Sequence, residues 1–82
     1  MKVHVLGTGC MKCNRLYADA EKAVARLGVP VELEKVEKIE DIVKFKVMMT
    51  PALVIDGQVK CVGKVPSVDQ IAKWLEEAQQ SG

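Results

Sequence analysis

A short apolar run from Lys2 to Leu6 stops at Gly7-Thr8-Gly9, and helical spacing takes over with no further spacer. Residues 2–6 read as a buried strand ending in a tight loop. Cys10 follows that loop directly, and Leu16, Ala20, Ala23, Val24 and Leu27 then recur at spacings of three and four between charged residues. That is an amphipathic helix of about four to five turns. A strand that must be covered, joined by a glycine-bearing turn to a helix with one apolar face, confines the chain to a layered α/β fold. It also sets Cys10 and Cys13 at the junction.

The remaining elements follow from punctuation and period. Gly28 and Pro30 stop the first helix near Leu27. Val29, Val31 and Leu33 alternate with Pro30, Glu32 and Glu34, a strand with one wet face that suits a sheet edge and runs to about Val36. Ile39, Ile42, Val43 and Val47 restore helical spacing, with Glu40 and Asp41 in the first turn and Lys44 and Lys46 later, so a second, shorter helix ends before Thr50. Pro51 blocks its continuation, and Ala52-Leu53-Val54-Ile55 is an apolar strand closed by the hairpin turn Asp56-Gly57. Gln58 to Val62 supplies the return strand and Gly63 ends it. Ser67 with Gln70 forms a capping box for a last helix whose Val68, Ile71, Ala72, Leu75 and Ala78 face the core, with Trp74 at the rim. The final Gln79-Gln80-Ser81-Gly82 is expected to fray. The predicted order is β-α-β-α-β-β-α, with an early parallel crossover and a late antiparallel hairpin.

Eighty-two residues leave room for one domain, 1–82. A composition 49% hydrophobic and 28% charged argues against a disordered tail, and no stretch has transmembrane length. Twelve basic residues against eleven acidic ones give no charge excess to draw the chain to nucleic acid or an anionic membrane. The apolar run after Met1-Lys2 is too short for a signal peptide, so a cytoplasmic location is expected. Three cysteines are an odd count, too few for a secreted disulfide scaffold, and a close pair in a reducing compartment points to redox chemistry or metal.

Cys10-Met11-Lys12-Cys13 opens a helix, and positions three apart on a first turn share a face, so the two sulfurs can close a disulfide. The unpaired amides and positive dipole end at Cys10 favour its thiolate, lowering its pKa below the free value of about 8.5. Lys12 adds a positive charge that tunes the same equilibrium, weakened by solvent screening. Cys10 is therefore the expected nucleophile and Cys13 the resolving thiol. Spacing alone leaves other readings open. The pair can be two small core residues, or two thiolates of a soft-metal carrier holding Cu(I) or a similar ion. A non-catalytic interaction module that retains the pair for stability is a third.

With Gly7-Thr8-Gly9-Cys10-Met11-Lys12-Cys13 after the first strand, Thr50-Pro51 opening the third and Gly63 after the fourth, nearly the whole chain resembles the thioredoxin and glutaredoxin superfamily. The similarity is to its small thioredoxin-like, redox-active disulfide members. It implies the minimal, glutaredoxin-like form of the fold: a mixed four-stranded sheet with three helices. It further implies a cis proline at Pro51 across from the cysteines, with Thr50, Pro51 and Gly63 contacting an extended substrate. Metal carriers with a cysteine pair have the order β-α-β-β-α-β and end on a strand, whereas Ser67 to Ala78 ends this chain on a helix. The resemblance thus implies disulfide reduction, with oxidation as the alternative direction, and with no cofactor and no metal, by a monomer that takes electrons from a dedicated reductase and passes them to a protein or small-molecule disulfide. Trp-Cys-Gly-Pro-Cys of thioredoxins proper and Cys-Pro-Tyr-Cys of glutaredoxins are both absent, so neither general thioredoxin activity nor glutathione dependence is implied.

Other residues carry plainer expectations. Cys61 is placed beside Val59 by alternation, as a small strand residue in or near the core. His4 is expected to be a packed strand residue and Tyr17 a helix-rim residue. Met48 and Met49 form either loop packing or an adaptable apolar patch beside the cysteines. The mixed Lys and Glu from Glu32 to Lys46 read as a solvated face.

Overall fold

The structure is a computed structural model that describes residues 1–9, 11–28 and 30–81, the last without its side chain. Cys10, Val29 and Gly82 lie outside the described residues, and with them the strand start expected at Val29 and the end of the expected fraying tail.

The element order is β1 (Lys2–Leu6), α1 (Met11–Leu27), β2 (Glu32–Val36), α2 (Ile39–Lys44), β3 (Ala52–Ile55), β4 (Gln58–Val62) and α3 (Val68–Ser81). The four strands form one mixed sheet in the order β2-β1-β3-β4. β1 pairs with β2 in parallel, whereas the β1–β3 and β3–β4 pairs are antiparallel. The wet-faced second strand stands at the edge, as its alternation requires. Asp56 and Gly57 both have positive φ, 48° and 82°, the geometry in which a two-residue turn matches strand twist.

Alternation splits the sheet's side chains between two clusters. Val3, Val5, Leu53 and Ile55 face Leu16, Ala20 and Ala23 of α1 and Ile71 and Leu75 of α3. Leu6, Ala52 and Val54 on the other face join Val36, Ile42 and Val47 under α2. The helices α1 and α3 thus cover one face and α2 the other.

Three local readings change. α2 stops at Lys44, because Phe45 leaves helical geometry and Lys46 takes φ 63°, which reverses the chain and returns Val47 to the core. α3 continues past Ala78 to Ser81; at its start Gln70 N–H donates to Ser67 Oγ at 3.1 Å, the serine half of the expected capping box. The third concerns β4. Leu53 pairs with Cys61 but Val54 pairs with Val59, so an irregularity at Lys60 interrupts alternation. Cys61 packs on the α1–α3 cluster, and Val59, paired with a residue of the α2 cluster, is 42% exposed. The extra residue of the bulge puts the two on opposite faces, where simple alternation had them side by side.

Candidate active site

One end of the sheet gathers the motifs singled out from sequence. The Leu6–Ala52 pair is the last of the antiparallel β1–β3 ladder, so Gly7 and Pro51 leave the sheet at neighbouring positions. β4 runs back to the same end, where Gly63 N–H donates to the Pro51 carbonyl at 2.7 Å. Gly7 N–H donates to the Val36 carbonyl at 2.9 Å, which ties in the end of β2. Four chain ends thus converge where α1 begins.

Cys13 is 1% exposed, one turn into α1. Directly against it lies the Gly7 backbone: a Cβ added at Gly7 would meet the Cys13 sulfur and come within 2.7 Å of its Cβ. Real Cβ atoms do not approach so closely, so glycine is needed at position 7 for space. The sequence had marked Gly7 only as part of a loop, because the approach is made by a residue six positions away. Cys10, the expected nucleophile, lies outside the described residues. Lys12 is exposed on the first turn and forms no ion pair among the described residues.

The Thr50–Pro51 peptide is cis, and Pro51 is fully buried. Thr50 is half-buried and shares a groove of about 500 Å³ with Thr8 of the loop before the cysteines. Ile39, Val43 and Met48 form its apolar rim, at 68%, 61% and 98% exposure. Met49 takes the other side of the loop, and its methyl group would stand 3.2 Å from a Cβ added at Gly63. The paired methionines therefore separate, Met48 into solvent and Met49 onto Gly63.

Residues outside the expected site also reach it. The Asn14 side-chain amide donates to the Gly9 carbonyl over a long 3.5 Å, and Lys35 donates to Asn14 Oδ1 at 3.2 Å. Sequence reading assigned Lys35 to a solvated face, and no spacing rule links it to residue 14. His4 is a packed strand residue as expected, its ring 4.9 Å from that of Phe45 and its Nε2 3.6 Å from Glu34 on the neighbouring strand. Cys61 lies half-buried; desolvation pushes its thiol pKa up, partly opposed by a Leu53 backbone hydrogen bond and by Lys64.

A mixed sheet in this order, covered by two helices on one face and one on the other, is that of a thioredoxin-like α/β protein. The sequence profile described as "Thioredoxin domain" matches residues 1–76. The chain is 37% identical over 75 residues to "Thioredoxin" of Methanothermobacter thermautotrophicus, covering 92% of this chain and 97% of that one. It is 38% identical over 74 residues to "Thioredoxin" of Methanocaldococcus jannaschii, covering 90% and 85% respectively. The chain belongs to the thioredoxin family, a family of thiol–disulfide redox proteins. Among the described residues no helix is long and apolar enough to cross a membrane.

Proposed function

We propose that this chain is a disulfide reductant in which Cys10 attacks and Cys13 resolves. The observation that carries the reading is the burial of Cys13 beneath Gly7, at the end of the sheet where Thr50 and Pro51 also lie. A buried second thiol in the first turn of α1 suits a resolving role, since it is shielded from outside disulfides and lies three residues after Cys10 in the sequence.

The Cys10 thiolate attacks one sulfur of the partner disulfide; a Cys10–partner bond forms as the partner's S–S bond breaks, and its other sulfur leaves as a thiolate that takes up a proton. Cys13 then loses its proton and attacks Cys10, closing the Cys10–Cys13 disulfide and expelling the partner's second thiolate. Two electrons pass from the protein to the partner. A dedicated disulfide reductase restores the dithiol. Lys12 favours the Cys10 thiolate, while Thr50, Pro51 and Gly63 line the path of an extended substrate whose backbone pairs beside Thr50. The substrate is a protein or small-molecule disulfide, and the 1–82 chain acts as one cytoplasmic, monomeric domain without cofactor or metal.

Titration of the protein in glutathione or dithiothreitol buffers, read by thiol alkylation and mass, tests the reading. The expected result is a reversible two-electron transition of the Cys10–Cys13 pair, the reference value for thioredoxin itself being about −270 mV. Cys13→Ser is expected to accumulate a mixed disulfide on Cys10. A pair that never closes, with no adduct on the variant, would overturn the proposal.

A further inference from the structure

Alternation along β2 sends Leu33 to the α1–α3 cluster and Val36 to the α2 cluster, which puts Lys35 on the α1 side of the sheet. There its ammonium lies 3.2 Å from Asn14 Oδ1 and 5.3 Å from the centre of the Tyr17 ring. Asn14 and Tyr17 are three apart on α1, so both face the same strand. The Asn14 amide has its oxygen held by the ammonium and its nitrogen turned to the Gly9 carbonyl. The chain of contacts therefore runs from the sheet edge, through the residue after Cys13, to the residue before Cys10.

Gly9 sits at φ 93°, is exposed, and would meet only the Glu37 carboxylate, at 3.6 Å, if it carried a Cβ. A glycine in such a loop visits many conformations unless something fixes its carbonyl. A charged donor on the amide oxygen polarises the amide and strengthens what its N–H group donates.

We propose that Lys35 and Asn14 are a positioning pair for the nucleophile: together they hold the Gly9 carbonyl, one residue before Cys10. This rests on the reading of Cys10 as the attacking thiol. Holding that carbonyl fixes the loop that leads into α1, whose positive N-terminal end would favour a thiolate on Cys10.

The test is the pH profile of Cys10 alkylation in the reduced protein, located by peptide mass, for wild type, Lys35→Met, Lys35→Arg, Asn14→Leu and the double variant Asn14→Leu/Lys35→Met. In both single variants that break the chain, the midpoint is expected to rise toward the free-cysteine value of about 8.5. Their rate at pH 7 is expected to fall about fivefold, the worth of one net hydrogen bond. Lys35→Arg keeps charge and donors and is expected to stay near wild type. Because both residues act through one contact, the double variant should fall no further than the lower single variant. Unchanged profiles overturn the proposal, and so does an additive double variant, which would mean that Lys35 acts through its field alone. Thermal melts of each variant separate this from simple destabilisation, which would lower the melting temperature and leave the midpoint in place. The wild-type redox titration bears only on the functional reading, so the two can fail independently.

Discussion

At the scale of single residues, the close approach of Gly7 to Cys13 is the contact with least slack. A methyl group at position 7 cannot be absorbed by a flexible side-chain end, because what it meets is the sulfur and Cβ of a buried residue fixed to a helix. Gly7→Ala must separate the end of β1 from the first turn of α1, and overpacking of that kind costs about 1–3 kcal/mol. Urea unfolding of the reduced protein is expected to show the loss, accompanied by faster alkylation of Cys13 as its cover lifts. Cys61 makes a different prediction. Burial holds its proton more tightly in the folded than in the unfolded chain, so its folded pKa lies above its unfolded one. The stability this contributes is complete below the unfolded value and disappears as pH rises through the folded one. In a Cys10→Ser/Cys13→Ser background, Cys61 is expected to alkylate more slowly than a free cysteine at pH 8. Its rate should climb at higher pH, while the unfolding free energy falls relative to Cys61→Ala. Equal alkylation rates at pH 8 would contradict the burial argument.

At the scale of elements, the chain was most legible where a local signal and a period agree. Ser67-x-x-Gln70 announces α3, and the hydroxyl does accept the Gln70 amide; Ser67→Ala is therefore expected to cost about 1 kcal/mol by thermal or urea unfolding. Gly28 and Pro30, Asp56-Gly57, and the apolar spacings of α1 and α3 placed their elements for the same reason. The exposed Arg26–Asp69 pair that links α1 to α3 adds little, since solvent screens it. What could not be read were features set by a neighbour in space. No residue type marks Lys60 as a bulge, because the register of β4 is decided by which side chains β3 presents to each face. Val47 fits the helical period of α2, yet the turn at Phe45 and Lys46 delivers it to the core from outside the helix. Within the candidate site, the place of Cys13 in the first turn of α1 and the cis Thr50–Pro51 bond were legible because a motif carries each. Gly7 beneath Cys13 and the Lys35–Asn14 contact were not, because each joins positions that only the packing of α1 on β1 and β2 brings together.

At the scale of the whole molecule, the two clusters hold the sheet with unequal strength, and the candidate site leans on the weaker one. Among the described residues, ten buried ones make up the cluster under α1 and α3, against six in the cluster under α2. α2 has only six residues, too short to be stable alone. Ile42 is its buried residue, and Val47 anchors the segment that follows. That segment leads through Met48 and Met49 into Thr50–Pro51, so the chain that bears the cis proline is fixed at one end mainly by Ile42 and Val47. Truncating a large residue in each cluster should therefore have different consequences. Leu75→Ala removes a fully buried side chain from the larger cluster and is expected to cost about 2–5 kcal/mol, a large share of what a small domain has. Its effect should be global, with amide exchange rising together in α1, α3 and the central strands. Ile42→Ala is expected to cost less overall but to act locally, because α2 can detach while the α1–α3 face stays closed. Hydrogen exchange should then accelerate first from Ile39 to Met49, with β1 and β3 still protected, and the rate of the proposed Cys10 attack on a protein disulfide should fall before the fold is lost. If exchange in Ile42→Ala rises uniformly across the sheet, the two faces form one cooperative unit and the segment beside the cysteines has no separate freedom.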